Sequence, residues 1–330
     1  MQDVARRANV SHMTVSRALR SPEKVSAAAR QAVQQAIRDT GYVHNHVASS
    51  LASSRSKVVA AIIPSITHSS LEATIEALMA TLRTRGLHLL LGTSGDTAAH
   101  EAAMIGAMLA QRPCAIVLHN TRHSPAARTV LWNAGIPVLE TGDLLRKPID
   151  LCVSYSNRAA AKAMVLHLAG QGYRRVAIAS VGSRVNDRSR QRLAGFQDGL
   201  REAGLPWTDE LLIETGPGFA GGAAAVDRIV QEGRTVDALF CSTGILALGA
   251  LAALRRYGWD VPGRIGLAGF DDSELMATAS PPLTTIRVPR AMLGERTAQM
   301  LLRCLEGDRP ECAVADVGFE IVTRRSTQRG

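Results

Sequence analysis

Short apolar runs that alternate with helical patterns constrain the fold of this chain more than any other feature. Such runs occupy Val58–Ile63, Leu87–Leu91, Ala115–Leu118, Val138–Glu140, Leu151–Val153, Val176–Ala179, Leu211–Glu214, Ala238–Cys241 and Ile265–Ala268. Runs of this kind are typical of strands buried in parallel sheets, with the intervening helices as right-handed crossovers. We predict about ten strands in two doubly wound parallel sheets. The chain is expected to pass between them near residues 155–157 and again near residues 285–287.

Length and composition agree with this α/β class. The chain has 330 residues, of which 46% are apolar and only 4% are aromatic. Such a length is typical of two or three domains. An apolar chain with few aromatic residues favours helices and buried parallel strands over an aromatic-rich sandwich.

The positive charge is concentrated at the N-terminus. Residues 1–57 contain nine Lys and Arg against three acidic residues, a net charge of +6 out of +9 for the whole chain. The other 273 residues therefore have a net charge of only +3. A basic head on a nearly balanced body indicates a module that binds a polyanion such as nucleic acid.

The basic head has the pattern of a helix-turn-helix. Two short amphipathic helices are predicted on either side of Asn9, which tolerates positive φ, and Ser11 is a natural N-cap for the second. Ser26 is expected to cap a third helix that ends at Gly41. Residues 45–57 are rich in Ser, Ala and His and are predicted to be a connector with weak helical potential.

The spacing of the cysteines and the length of the apolar stretches argue against several classes of protein. Its five cysteines are widely spaced without a CxxC pair, which argues against a disulfide framework and a zinc site. The N-terminus has no apolar leader, and no stretch approaches about eighteen apolar residues. We therefore expect a cytoplasmic location and no membrane association.

Several segments resemble the lac repressor/galactose repressor family. Residues 3–19 (DVARRANVSHMTVSRAL) match its headpiece, residues 25–43 its third helix, and residues 45–52 (NHVASSLA) its hinge. In the body, residues 269–272 (GFDD) and 281–286 (PPLTTI) continue the resemblance. Residues 13–20, 64–67 and 318–320 are most similar to gluconate-utilisation repressors.

The resemblance implies a domain organisation. It comprises an all-α helix-turn-helix headpiece (1–44), a hinge (45–57) and a periplasmic-binding-protein-like body (58–330) for effector binding and dimerisation. The body would divide into an N-subdomain (about 58–155 and 287–318) and a C-subdomain (about 156–286 and 319–327). The implied protein is a homodimer, or a tetramer.

The expected DNA contacts lie in the head and the hinge. Arg17 can bond guanine bidentately, and His12 and Met13 share its outward face, while Val15 and Leu19 face the bundle. Ser16 and Thr14 can bind phosphate. The resemblance implies that Leu51 wedges into the minor groove. The full predicted set is Ser11, His12, Met13, Thr14, Ser16, Arg17, Asn45, His46, Ala48 and Leu51.

The expected effector contacts lie at strand ends. Arg192 opens a helix after a strand, in the crevice where doubly wound sheets bind ligands, and the resemblance makes it a clamp for hydroxyls or a carboxylate. Asp271 resembles the family's hydroxyl acceptor. The full predicted set is Ser65, Asn157, Arg190, Arg192, Phe219, Thr243 and Asp271.

One segment departs from the family and another suggests an enzyme. Thr243-Gly244 stands where many members have Asn-Asp, which removes an acidic acceptor and shifts the expected ligand towards an anion. Residues 216–221 (GPGFAG) match GxGxxG, so an NAD(P)-dependent oxidoreductase is the alternative. The motif comes late in the chain and has no acidic residue about twenty positions later.

Together these observations predict a transcriptional repressor without cofactor. Its partners would be double-stranded operator DNA and a sugar or sugar-acid effector, with gluconate or a derivative the first choice. No catalytic constellation is found, and a secreted sugar-binding protein disagrees with the basic head and the lack of a leader.

Overall fold

The computed structural model describes residues 1–42, 56–67, 70–95, 97–182 and 186–329. It contains two compact units, Met1–Ser56 and Lys57–Gly330. The predicted hinge contacts Asn45, His46, Ala48 and Leu51 lie outside the described residues.

The first unit is a three-helix bundle made of α1 (Gln2–Arg7), α2 (His12–Arg20) and α3 (Ala27–Thr40). The predicted turn is confirmed, since Asn9 has a φ of 51° and the Ser11 side chain accepts the N–H of Thr14 at 3.1 Å. Ser26 caps α3, and Gly41 ends it at a φ of 61°. A short 3-10 turn at Pro22–Lys24 was not predicted. The core of the bundle consists of Val4, Ala5, Val15, Val33 and Ala36.

The second unit contains two six-stranded sheets. The described residues form twelve strands: β1 (Val58–Ile63), β2 (His88–Thr93), β3 (Ala115–Leu118), β4 (Val138–Glu140), β5 (Leu151–Ser154), β6 (Val176–Val181), β7 (Leu212–Thr215), β8 (Ala238–Cys241), β9 (Gly266–Phe270), β10 (Thr284–Arg287), β11 (Val314–Asp316) and β12 (Glu320–Val322). Their orders are β11-β5-β4-β3-β1-β2 and β12-β10-β9-β8-β6-β7. The two doubly wound sheets are as predicted. One pair differs, because β12 runs antiparallel to β10.

Helices cover the faces of both sheets. In chain order they are α4 (Glu72–Arg83), α5 (Ala98–Ala110), α6 (Pro125–Trp132), α7 (Asn157–Gly170), α8 (Asp187–Glu202), α9 (Gly218–Gln231), α10 (Gly244–Arg256), α11 (Glu274–Thr278) and α12 (Arg290–Leu305). The helix α4 packs on α12, α7 on α8, and α9 on α10. Buried strand residues such as Ile116 and Phe240 form cores between these layers.

The chain passes between the sheets three times. It leaves the first sheet after β5, returns to it after β10, and passes to the second sheet again between β11 and β12. Because strands of a doubly wound sheet present ligand sites at their carboxyl ends, these passages bring the strand-end loops of both sheets together. The result is a cleft between the two sheets.

Candidate DNA-binding surface and effector cleft

The N-cap and outer face of α2 present five of the six predicted DNA contacts that the structure describes. Met13 is 65% exposed, and His12 and Arg17 are exposed beside it, whereas Val15 is fully buried in the bundle. The Ser11 and Thr14 hydroxyls are 2.8 Å apart at the start of the helix. This arrangement leaves His12, Met13 and Arg17 exposed on a helix face that a major groove can accept.

Ser16 differs from the other predicted contacts. Its residue is only 9% exposed, because it follows Val15 towards the covered side of α2. The basic side chains of the head are also unequal, since Arg7 donates to Asp39 at 2.9 Å, and this hydrogen bond lowers the pKa of Asp39. Arg17 is therefore better placed than Ser16 or Arg7 to contact DNA.

A cavity of about 350 Å³ lies in the cleft between the two sheets. Pockets for small molecules typically span about 300–1,000 Å³. Among its lining residues are Ser65, Arg188, Arg192, Thr243, Asp271 and Arg290. Four of the predicted effector contacts, Ser65, Arg192, Thr243 and Asp271, are thus brought together.

Arg192 is held rigidly in the wall of this cavity. Its Nε donates to Asn157 Oδ1 at 2.8 Å, one terminal nitrogen to the Tyr155 hydroxyl at 3.1 Å, and the other to the carbonyl of Ser242. The guanidinium lies 3.6 Å from the centre of the Phe270 ring. A guanidinium has more donors than these contacts use, so a preorganised cation still has N–H groups for a ligand.

Asn157 lies behind the cavity rather than in its wall. It is fully buried, and its side chain donates to Gly142 O and Asp143 Oδ1, both at 3.0 Å. Because its oxygen accepts from Arg192, Asn157 orients the arginine and does not line the cavity. A strand-end position suggested a ligand contact, but the side chain points into the protein.

Asp271 and Arg290 form an ion pair between the two halves of the unit. Asp271 follows β9 in the second sheet with a φ of 84°, and Arg290 begins α12, which packs against α4 and β5 of the first sheet. Burial acts to raise the pKa of Asp271, but Arg290 and Arg192 outweigh it and lower that pKa. Asp271 is therefore an ionised acceptor at neutral pH.

Arg290 was not predicted as a site residue. Its Nε is buried without a hydrogen-bond partner in the described part of the chain, although the side chain lines the cavity. Such an orphaned donor is costly unless a ligand or water satisfies it. The only hint in the sequence was the predicted crossing near residues 285–287, which places the next few residues at the cleft.

Arg188 and His119 also line the cavity, and their protonation states contribute to its charge. Arg188 donates to Asn120 Oδ1 at 3.2 Å and pairs with Asp187 at 3.0 Å. Burial lowers the pKa of His119 well below its usual value, and the nearby arginines lower it further, so His119 is neutral. The cavity wall thus has three guanidinium groups, with Asp271 as its carboxylate.

The remaining predicted effector contacts differ in whether they line the cavity and in their protein partners. Ser65 bonds within its own turn, accepting the Thr67 N–H at 3.0 Å, and Thr243 caps α10. Phe219 is 48% exposed and does not line the cavity. Arg190 lines a neighbouring cavity instead.

The glycine-rich segment serves packing and a tight turn. Gly218 begins α9 with a φ of 81°, and a Cβ on Gly221 would lie 1.8 Å from the carbonyl oxygen of Gly216. Pro217 and Gly218 line the cavity. The positive φ explains Gly218, and the close backbone contact explains Gly221.

The described residues contain no group of three or more His, Cys, Asp and Glu residues that could hold a metal ion. None of their helices is long and apolar enough to cross a membrane.

Comparisons with known families identify both units. Residues 1–45 match the model of "Bacterial regulatory proteins, lacI family", and residues 165–327 match the "Periplasmic binding protein-like domain". The chain is 34% identical to the HTH-type transcriptional regulator GntR of Pseudomonas aeruginosa, over 99% of this chain and 95% of the relative.

Solved structures show the same fold. A LacI-family transcriptional regulator from Silicibacter pomeroyi superposes with a TM-score of 0.92 at 32% identity, covering 99% of both chains. The transcription regulator GntR from Chromobacterium violaceum superposes with a TM-score of 0.78 at 31% identity, covering 82% of this chain and 100% of that one. These relatives are regulators, so the oxidoreductase alternative is wrong. The chain belongs to the LacI family and is a DNA-binding transcriptional regulator rather than an enzyme.

Proposed function

We propose that this regulator is a repressor whose operator affinity is controlled by a sugar acid, gluconate or a close derivative, bound in the cleft between the two sheets. The observation that carries the proposal is the set of guanidinium groups of Arg188, Arg192 and Arg290 around one small cavity. Buried cations of this kind favour an anionic ligand.

The cavity suits an aldonate better than a neutral sugar. A neutral sugar needs donors and acceptors in similar numbers, whereas an aldonate needs a fork for its carboxylate and acceptors for its hydroxyls. Arg192 and the unpaired Nε of Arg290 supply donors for the carboxylate. Asp271 is the charged acceptor for hydroxyls, and Ser65 and Thr243 are neutral polar groups in the wall of the same cavity.

The departure at Thr243-Gly244 supports the same ligand class. A Cβ on Gly244 would lie 2.7 Å from both the Phe270 carbonyl oxygen and the Met276 sulfur, so no larger side chain fits there. The position therefore provides no acidic acceptor. Relatives named GntR also support a gluconate-related effector.

The proposal extends to DNA and to the oligomer. The exposed face of α2 reads the operator, and the predicted hinge contacts bind the minor groove.

We place the homodimer contact at β2, an edge strand of the first sheet on which Leu90 and Leu91 are exposed, because such an edge favours association. A regulator of this kind acts where the DNA is, in the cytoplasm.

Calorimetric titration of the full chain tests the effector class. The ligands are gluconate, 2-ketogluconate, 6-phosphogluconate, glucose and galactose, and the proteins are wild type, Arg192→Ala, Arg290→Gln and the exposed control Arg83→Gln. We expect the acids to bind wild type and Arg83→Gln, and both cleft variants to weaken this binding by about tenfold to a hundredfold, the range for charge-assisted hydrogen bonds.

Thermal unfolding and DNA binding of each variant establish that it is folded. Selective binding of a neutral sugar would contradict the proposal. So would a folded Arg192→Ala protein that binds the acids as tightly as wild type does.

A further inference from the structure

A second cavity adjoins the one in the effector cleft. Its volume is about 560 Å³, and it shares Pro64, Asn186 and Arg188 with the cleft cavity. We call the 350 Å³ cavity the inner compartment and this one the outer compartment. Because Arg188 borders both, a ligand longer than the inner compartment would extend past this arginine into the outer one.

The outer compartment has its own cationic groups. Arg122, which follows β3, and Arg190, on α8, line it together with Arg188. Arg122 is exposed and forms no ion pair with any residue that the structure describes. Thr97 and Ser124, the N-caps of α5 and α6, also line the compartment, and helix N-termini add partial positive charge.

The carboxylates in this wall are bound to protein partners. Glu101 accepts hydrogen bonds from Asn120 at 3.0 Å and from the His123 imidazole at 3.1 Å. Asp187 accepts both the N–H and the hydroxyl of Thr121 at 2.7 Å and is paired with Arg188. These carboxylates are satisfied by their protein partners, whereas Arg122 remains available to an incoming anion.

We propose that the outer compartment is a subsite for a phosphate group, so that the effector is a sugar acid phosphorylated at the end remote from its carboxylate. The inference rests on the proposed function, in which the inner compartment holds the carboxylate. A phosphate offers a nearly doubled negative charge and three acceptor oxygens, which several guanidinium forks can share. A second carboxylate would use fewer of these donors.

Calorimetry on the full chain tests the subsite with gluconate, 6-phosphogluconate, glucose 6-phosphate and inorganic phosphate. The variant is Arg122→Gln, and the matched control is Arg128→Gln, an exposed arginine on α6 that does not line the compartment. We expect wild type to bind 6-phosphogluconate at least about tenfold more tightly than gluconate. Arg122→Gln should lose most of this preference and keep its gluconate affinity, and Arg128→Gln should resemble wild type.

The outcomes separate this inference from the proposed function. If gluconate binds but 6-phosphogluconate gains nothing, or if Arg122→Gln behaves like Arg128→Gln, the subsite is wrong and the proposed function stands. If inorganic phosphate or glucose 6-phosphate binds in an Arg122-dependent way while no sugar acid binds, the subsite stands and the effector class is wrong.

Discussion

His123 lies between two carboxylates with its side chain fully buried. Its Nδ1 is 3.1 Å from Glu101 Oε2, and its Nε2 is 3.2 Å from Glu140 Oε1. Burial acts to lower the pKa of His123, but the hydrogen bonds to Glu101 and Glu140 outweigh it and raise this pKa to about 9. The imidazolium therefore compensates two carboxylates that would otherwise be buried without a counter-charge.

This arrangement predicts a pH dependence of stability. The folded pKa lies above the usual 6.5, so the stabilisation is complete below about pH 6.5 and is lost as the pH rises through about 9. The free energy of unfolding of wild type, measured with urea, should fall across this window. His123→Gln should be less stable by about 3–5 kcal/mol at pH 6.5, because it leaves buried charges unpaired.

The matched control for this experiment is His88→Gln, at an exposed position on β2. It should keep both the stability and the pH dependence of wild type. An unchanged slope in His123→Gln would show that the imidazolium does not stabilise the fold.

Single residues of the candidate effector cavity were predictable to the extent that they follow a strand. Arg192 and Asp271 were predicted in this way, and both line the cavity. Asn157 follows a strand too, but it points inward, because the direction of a side chain depends on packing that no local pattern encodes. Arg290 was missed since it opens a helix after Pro289, and its role arises only when the chain returns to the first sheet.

Among the secondary-structure elements, α10 begins in close contact with β9 and Met276. A Cβ on Gly244 would lie 2.7 Å from a backbone oxygen of β9 and 2.7 Å from the sulfur of Met276. The start of this helix is thus fixed against the strand that presents Asp271. The absence of an acidic residue at this position therefore follows from the close packing of α10 against β9.

Gly244→Ala should lower the free energy of unfolding by about 1–3 kcal/mol, the usual cost of overpacking. Gly170→Ala is the control, since its Cβ, at the end of α7, meets nothing within 4 Å. Helix propensity predicts that this control is neutral or more stable by up to about 1 kcal/mol. Urea denaturation compares the two variants, and equal stabilities would refute the close packing.

Elements were predictable from the sequence where an apolar run is continuous. The bounds of β1, β3, β4 and β8 agree with the runs, because these strands are almost entirely buried. The strands β11 and β12 were not predicted, since each has three residues, none of them buried. The orientation of β12 against β10 could not be predicted either, because a pattern of parallel crossovers does not anticipate a short antiparallel strand.

For the molecule as a whole, we propose that a ligand in the cleft alters the affinity for DNA. The cleft lies between two sheets that the chain connects three times, and the Asp271–Arg290 ion pair spans it. A ligand that competes for Arg290 would favour one arrangement of the sheets over another. By linkage, the ligand can change the operator affinity by no more than the difference in its own affinity for the two arrangements.

The most direct test is fluorescence anisotropy with an operator that the purified protein selects from a random DNA pool. Operator affinity is measured with and without saturating sugar acid, gluconate and 6-phosphogluconate in turn, for wild type and Arg192→Ala. We predict that the acid changes the wild-type operator Kd by about fivefold or more, within the usual range of allosteric coupling. Arg192→Ala should bind the operator as wild type does without acid and should not respond to acid. An operator Kd that is the same with and without every acid in wild type would contradict the account.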